Sequence, residues 1–129
     1  MKLTGDFYTV TSTLPPQEGM VYGFNIRLNP GHFIYKAHFP GHPVTPGVCL
    51  IQMVSELASQ AEGTRLVISN VKNVKFTGVV DPVHDSELKM VFTNRTYTDD
   101  GQVKVQALLT SASDDTRVFS KFSMTLRKD

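Results

Sequence analysis

The sequence holds a single cysteine, Cys49, which excludes an internal disulfide and suits a reducing compartment. Neither sign of charge dominates: thirteen Lys and Arg stand against twelve Asp and Glu, and no block of like charge could follow a phosphate backbone. Nucleic acid is therefore not an expected partner. A membrane is not expected either, because no basic amphipathic helix is visible and no apolar run approaches the ~18 residues that a spanning helix needs. Met1-Lys2-Leu3-Thr4-Gly5-Asp6 passes directly into alternating polar and apolar residues, which lack the apolar stretch of a signal peptide. These scarcities predict a cytoplasmic protein. Internal repeats, linkers and low-complexity tracts are missing too, so the 129 residues read as one domain, 1–129.

What is present has the balance of a globular chain, 40% hydrophobic and 19% charged. Strand signals, with β-branched and aromatic residues between turn formers, fall at Phe7 to Leu14, Met20 to Leu28, Leu66 to Phe76, Glu87 to Thr98, Gln102 to Ser111 and Arg117 to Arg127. Asp99-Asp100-Gly101 and Ser113-Asp114-Asp115 read as hairpin turns, making the C-terminal half an antiparallel meander. Alternation puts Val103, Val105, Ala107 and Leu109 on a core face and Lys104, Gln106 and Thr110 on a wetter one.

One long helix is predicted from Pro46 to Ala61, with Thr45 as N-cap, Pro46 in the first position and Gly63 as the stop. Its apolar residues cover most of the circumference and leave a polar stripe at Gln52, Ser55, Glu56 and Ser59. Such a helix belongs inside a curved antiparallel sheet, an α+β layout.

Immediately before the helix, Ala37-His38-Phe39-Pro40-Gly41-His42-Pro43-Val44-Thr45-Pro46-Gly47-Val48 packs three prolines with two glycines. Each proline steers its predecessor away from helix, so the segment is a stiff loop presenting a histidine beside a helix N-terminus. His32, His42 and His84 raise the question of a metal. Pro40 and Gly41 keep His38 and His42 from meeting as helical ligands, and no acidic residue has an established ligand spacing, so no metal is expected. Cys49 reads as a small core residue.

His38-Phe39-Pro40-Gly41, then Pro43, then Pro46-Gly47-Val48, resembles the hallmark of the hot-dog-fold 3-hydroxyacyl-acyl-carrier-protein dehydratase family. The resemblance implies a hot-dog fold of about six strands around the helix. It also implies a homodimer with edge-to-edge sheets, sometimes assembled further, and an acyl tunnel at the dimer interface. The reaction implied is dehydration of a 3-hydroxyacyl thioester, on acyl carrier protein or coenzyme A, to the trans-2-enoyl thioester in fatty-acid or polyketide-like biosynthesis. It needs no metal or redox cofactor. His38 resembles the family's base, and Gly47 the residue whose backbone N–H polarises the thioester carbonyl. Phe39, Pro40, Gly41, Pro46 and Val48 would complete the substrate-binding segment.

The departure is at the acid. Fourteen positions after the histidine the family places Glu or Asp, where this chain has Gln52, and four positions later it commonly has Gln, where Glu56 stands. Residues at i and i+4 share a helix face, so Glu56 lies on the same stripe about 6 Å further along the axis. The catalytic candidates are thus His38, Gln52 and Glu56. Two alternatives stay open: a thioesterase in which Gln52 or Glu56 orients water, and an acyl-binding subunit that forms a heterodimer with a homologous chain supplying the acid.

Overall fold

Hairpin pairing organises the chain, and one helix fills the concavity it makes. The computed structural model describes residues 2–129. Its elements are β1 (Tyr8–Leu14), β2 (Tyr22–Leu28), α1 (Ile34–Ala37), α2 (Gly47–Glu62), β3 (Leu66–Phe76), β4 (Glu87–Tyr97), β5 (Val103–Ser111) and β6 (Val118–Lys128). The six strands form one antiparallel sheet in the order β1-β2-β4-β5-β6-β3. This is the expected hot-dog layout. The strand readings hold to within a residue or two at most ends. The four-residue α1 was not foreseen, since one turn carries no periodicity to detect.

The β4–β5 hairpin closes where expected, with Gly101 at φ 82° and the Thr98 N–H donating to the Gln102 carbonyl at 2.9 Å. Along β5 the four predicted core residues are all buried. Thr110 keeps the predicted outer face, opposite Lys89 and beside Leu108, but it is buried there rather than wet.

Helix α2 buries Cys49, Leu50, Met53, Val54, Leu57 and Ala58 against the sheet, among Ile26, Leu28, Leu88, Met90, Phe92, Phe122 and Met124. It starts at Gly47, one residue later than predicted, and the N-cap is Pro46. Thr45 does not cap it. Its hydroxyl instead lies 3.1 Å from the Tyr35 hydroxyl in a buried pair, and burial pushes the Tyr35 phenol up to about 12. Gly63 ends the helix at φ 69°, its N–H bonded to the Ser59 carbonyl, as the sequence predicts. The chain then returns as β3, which pairs only with β6 and so forms one edge of the sheet. Among the described residues no helix is long and apolar enough to cross a membrane.

Gly63→Ala puts a Cβ on a left-handed residue and is expected to cost about 1 kcal/mol, read as a lowered midpoint in chemical unfolding at unchanged slope.

Candidate active site

The loop from His38 to Pro46 is held by its own backbone. The His38 N–H closes α1 on the Ile34 carbonyl at 3.0 Å, and the His38–Phe39 peptide is cis. Phe39 and His42 exchange both backbone hydrogen bonds, at 3.1 and 2.9 Å, around Pro40 and Gly41, and Gly41 supplies the positive φ of 78°. Two further bonds fasten this loop: the Val44 N–H donates to the His38 carbonyl at 2.7 Å, and the Thr45 N–H to the Val80 carbonyl at 3.0 Å. The exposed His38 imidazole stands edge-on to the Phe39 ring, 5.5 Å between centroids.

At the helix start, the Cys49 and Leu50 N–H groups reach the Pro46 carbonyl at 3.0 and 3.3 Å. The Gly47 and Val48 N–H groups have no acceptor among the described residues, which leaves donors and a positive dipole end open to a developing oxyanion. Burial pushes the Cys49 thiol up, as befits a core residue and not a nucleophile.

The polar stripe is a second cluster. The Ser55 hydroxyl donates to the Gln52 carbonyl and the Ser59 hydroxyl to the Ser55 carbonyl, while Ser59 also receives the Leu66 N–H at 2.9 Å and so seats the start of β3. Glu56 is enclosed by donors from the N-terminal segment. Its Oε2 accepts the Leu3 N–H at 2.8 Å and the Gln52 amide at 3.0 Å; its Oε1 accepts the Thr4 N–H at 2.9 Å, the Thr4 hydroxyl and the Tyr8 hydroxyl. Burial pushes the Glu56 carboxyl up, but the bonds from Thr4, Leu3 and Gln52 outweigh it, and the net direction is down. A carboxylate so held stays ionised near neutral pH and has no proton to give.

Gln52 and Glu56 line a cavity of ≈ 520 Å³ together with Thr4, Ser55, Ser59 and residues 65–68 at the start of edge strand β3. No residue of the 38–48 loop lines it. The structure thus joins His38 with Gly47 through one loop, and Gln52 with Glu56 on one stripe, as two separate groups within one chain.

Sequence reasoning missed three parts. Thr4 and Tyr8 meet Glu56 across 52 and 48 positions, a pairing with no local signature. The Phe76 ring lies against Gly47. The loop containing Asp81-Pro82-Val83 has an anchoring role: Asp81 accepts the Val83 and His84 N–H groups and pairs with the His84 ring at 2.8 Å, while the neighbouring Val80 carbonyl receives the Thr45 N–H. The proline in that loop was the available signal.

Comparison with known proteins gives the family and the fold. The sequence profile of the ApeI-like family, described as ApeI dehydratase, matches residues 16–114. The chain belongs to the ApeI-like family. Its curated relatives include the 3-hydroxyacyl-acyl-carrier-protein dehydratase FabZ of Lactobacillus helveticus, 31% identical over 109 residues that cover 78% of this chain and 71% of that one. FabZ of Lactiplantibacillus plantarum is 33% identical over 76 residues, 54% of this chain and 50% of its own, so this second match spans about half of the relative. A solved structure of the dehydratase heterocomplex ApeI:P from Xenorhabdus doucetiae superposes with a TM-score of 0.66 at 18% identity, covering 92% of this chain and 96% of that one. An uncharacterized protein from Erwinia carotovora subsp. atroseptica superposes at 0.61 with 19% identity, covering 90% of each chain. Both likenesses establish the fold. In this ApeI-like chain the Glu56 carboxylate beside Gln52 serves as an anchor for the N-terminal segment.

Because folding lowers the Glu56 pKa, its stabilisation is complete above the ordinary glutamate value and is lost as the pH falls through the lower folded value. Glu56→Gln is expected to cost about 1–3 kcal/mol at neutral pH and to flatten the acid limb of stability, measured by urea unfolding across pH. Hydrogen exchange at the Leu3 and Thr4 amides should rise in the same variant.

Proposed function

We propose that this chain dehydrates 3-hydroxyacyl thioesters, carried on acyl carrier protein or coenzyme A, to trans-2-enoyl thioesters in the cytoplasm. The observation that carries the reading is the fastened loop, which presents an exposed imidazole and two open helix N–H groups from one short, doubly tied segment. Family membership supplies the reaction class.

In this scheme the Gly47 N–H binds the thioester oxygen, and the dipole of α2 favours the negative charge that develops there. His38 takes the α-proton, the C–O bond at the β-carbon breaks, and the same imidazole returns that proton to the departing hydroxyl, so the products are enoyl thioester and water. Gln52 holds the β-hydroxyl by hydrogen bonding, and Glu56 acts by positioning the Gln52 amide. Phe39, Pro40, Gly41, Pro46 and Val48 form the wall beside the acyl group.

His38 and Gln52 belong to different groups within one chain, which favours completion of the site by a second chain. We propose that β3 pairs with its counterpart, so that His38 of each protomer faces the Gln52 cavity of the other. Its unpaired edge and the exposed Val71 support this. A homodimer is the first arrangement. The ionised, fully bonded Glu56 favours a second, in which a homologous chain contributes the acid; a structural neighbour is itself described as a heterocomplex.

The purified chain should convert 3-hydroxybutyryl-pantetheine to the enoyl product, followed by its absorbance. His38→Ala should lower kcat by about 100-fold or more. Undiminished activity in that variant refutes the base. Inactivity alone with activity on co-expression with a homologous chain selects the heterodimer.

A further inference from the structure

Gly47 sits at the first position of α2, where its φ is not positive, so its backbone would accept any side chain. What excludes a side chain is a neighbour. A Cβ built on Gly47 falls 2.6 Å from Cζ of Phe76, 2.9 Å from Cε2 and 3.1 Å from Cε1. The leading edge of that ring is therefore pressed against the α-carbon whose own N–H is the open donor at the helix start. Phe76 is the last residue of β3 and faces the helix side of the sheet, since its neighbours Lys75 and Asn73 pair with outward Lys121 and Ser123. Yet it is 50% exposed, unlike the fully buried aromatics of the core.

A phenyl ring ends a two-torsion side chain, and its far edge can move without moving the backbone. Half of this ring is unpacked, so turning it away from Gly47 breaks little core. A carbonyl oxygen hydrogen-bonded to the Gly47 nitrogen lies about 2.9 Å from it. The groups on that carbonyl carbon then occupy the space beside the Gly47 α-carbon, where the Phe76 edge rests.

We infer that Phe76 is a specificity-determining residue: its ring closes the flank of the helix N-terminus and sets how bulky an acyl group can engage the Gly47 N–H. This rests on the acyl-thioester reading above and adds to it the residue that selects among acyl groups. A methyl at position 47 would meet the same ring edge and would itself fill the space beside the α-carbon that an acyl group needs.

Binding of two unreactive thioether analogues to the full-length protein tests this, one carrying a butyryl-sized chain and one a phenylpropyl group, both on pantetheine. The ¹⁵N-labelled protein is titrated and the Gly47 amide followed. In the unliganded state, Phe76→Ala should shift that amide through the lost ring current. It should also move the ratio of the two Kd values by about tenfold or more toward the bulky analogue. Gly47→Ala should weaken both analogues, and adding Phe76→Ala should restore the bulky one, an outcome that a merely structural role for Phe76 would not produce. An unchanged Kd ratio with both analogues still binding overturns the role of Phe76 and leaves the acyl site standing. Failure of either analogue to bind any of the proteins overturns the acyl site, and the inference with it.

Discussion

Everything at the site hangs on the burial of α2 in the concave sheet. Met53, Val54 and Leu57 lose essentially all contact with water in the core shared with strands β2, β4 and β6, and each such side chain contributes on the order of 1.5–3 kcal/mol. With the helix axis fixed by that packing, its first turn becomes a fixed point in space. The loop before it is then tied at two backbone bonds, His38 carbonyl to Val44 and Thr45 to the Val80 carbonyl, so the imidazole and the open N–H groups inherit the rigidity of the core.

The same helix carries a second demand. A polar stripe on a largely buried helix must have its hydrogen bonds met. Ser55 and Ser59 meet theirs on the helix backbone and on β3, and Glu56 meets its own by collecting Leu3, Thr4, Tyr8 and Gln52. The Glu56 carboxylate is consumed by anchoring the N-terminal segment, and the Gln52 amide is orientated by it.

Much of this was legible in the linear chain, for reasons that can be named. Val103 to Leu109 alternate, and Pro46 to Gly63 carry start and stop residues around a long apolar run, so strand and helix declare themselves through period and termini. Thr45 misled because a threonine before a helix is usually its cap, whereas here the Tyr35 hydroxyl ten positions back takes that side chain. Thr110 misled only in its exposure: alternation gives its outer face correctly, opposite Lys89, but does not record that neighbouring side chains bury it there.

By itself the sequence determined the residue types, the stiff proline-bounded loop, the helix behind it and the family to which they belong, because each is encoded within a few consecutive positions. Only the tertiary structure decided what those residues touch. The enclosure of Glu56 by the N-terminus, the pressing of Phe76 onto Gly47 and the separation of His38 from the Gln52 cavity depend on contacts between distant segments. Such contacts arise when the sheet closes around the helix, and no local pattern of side chains records them.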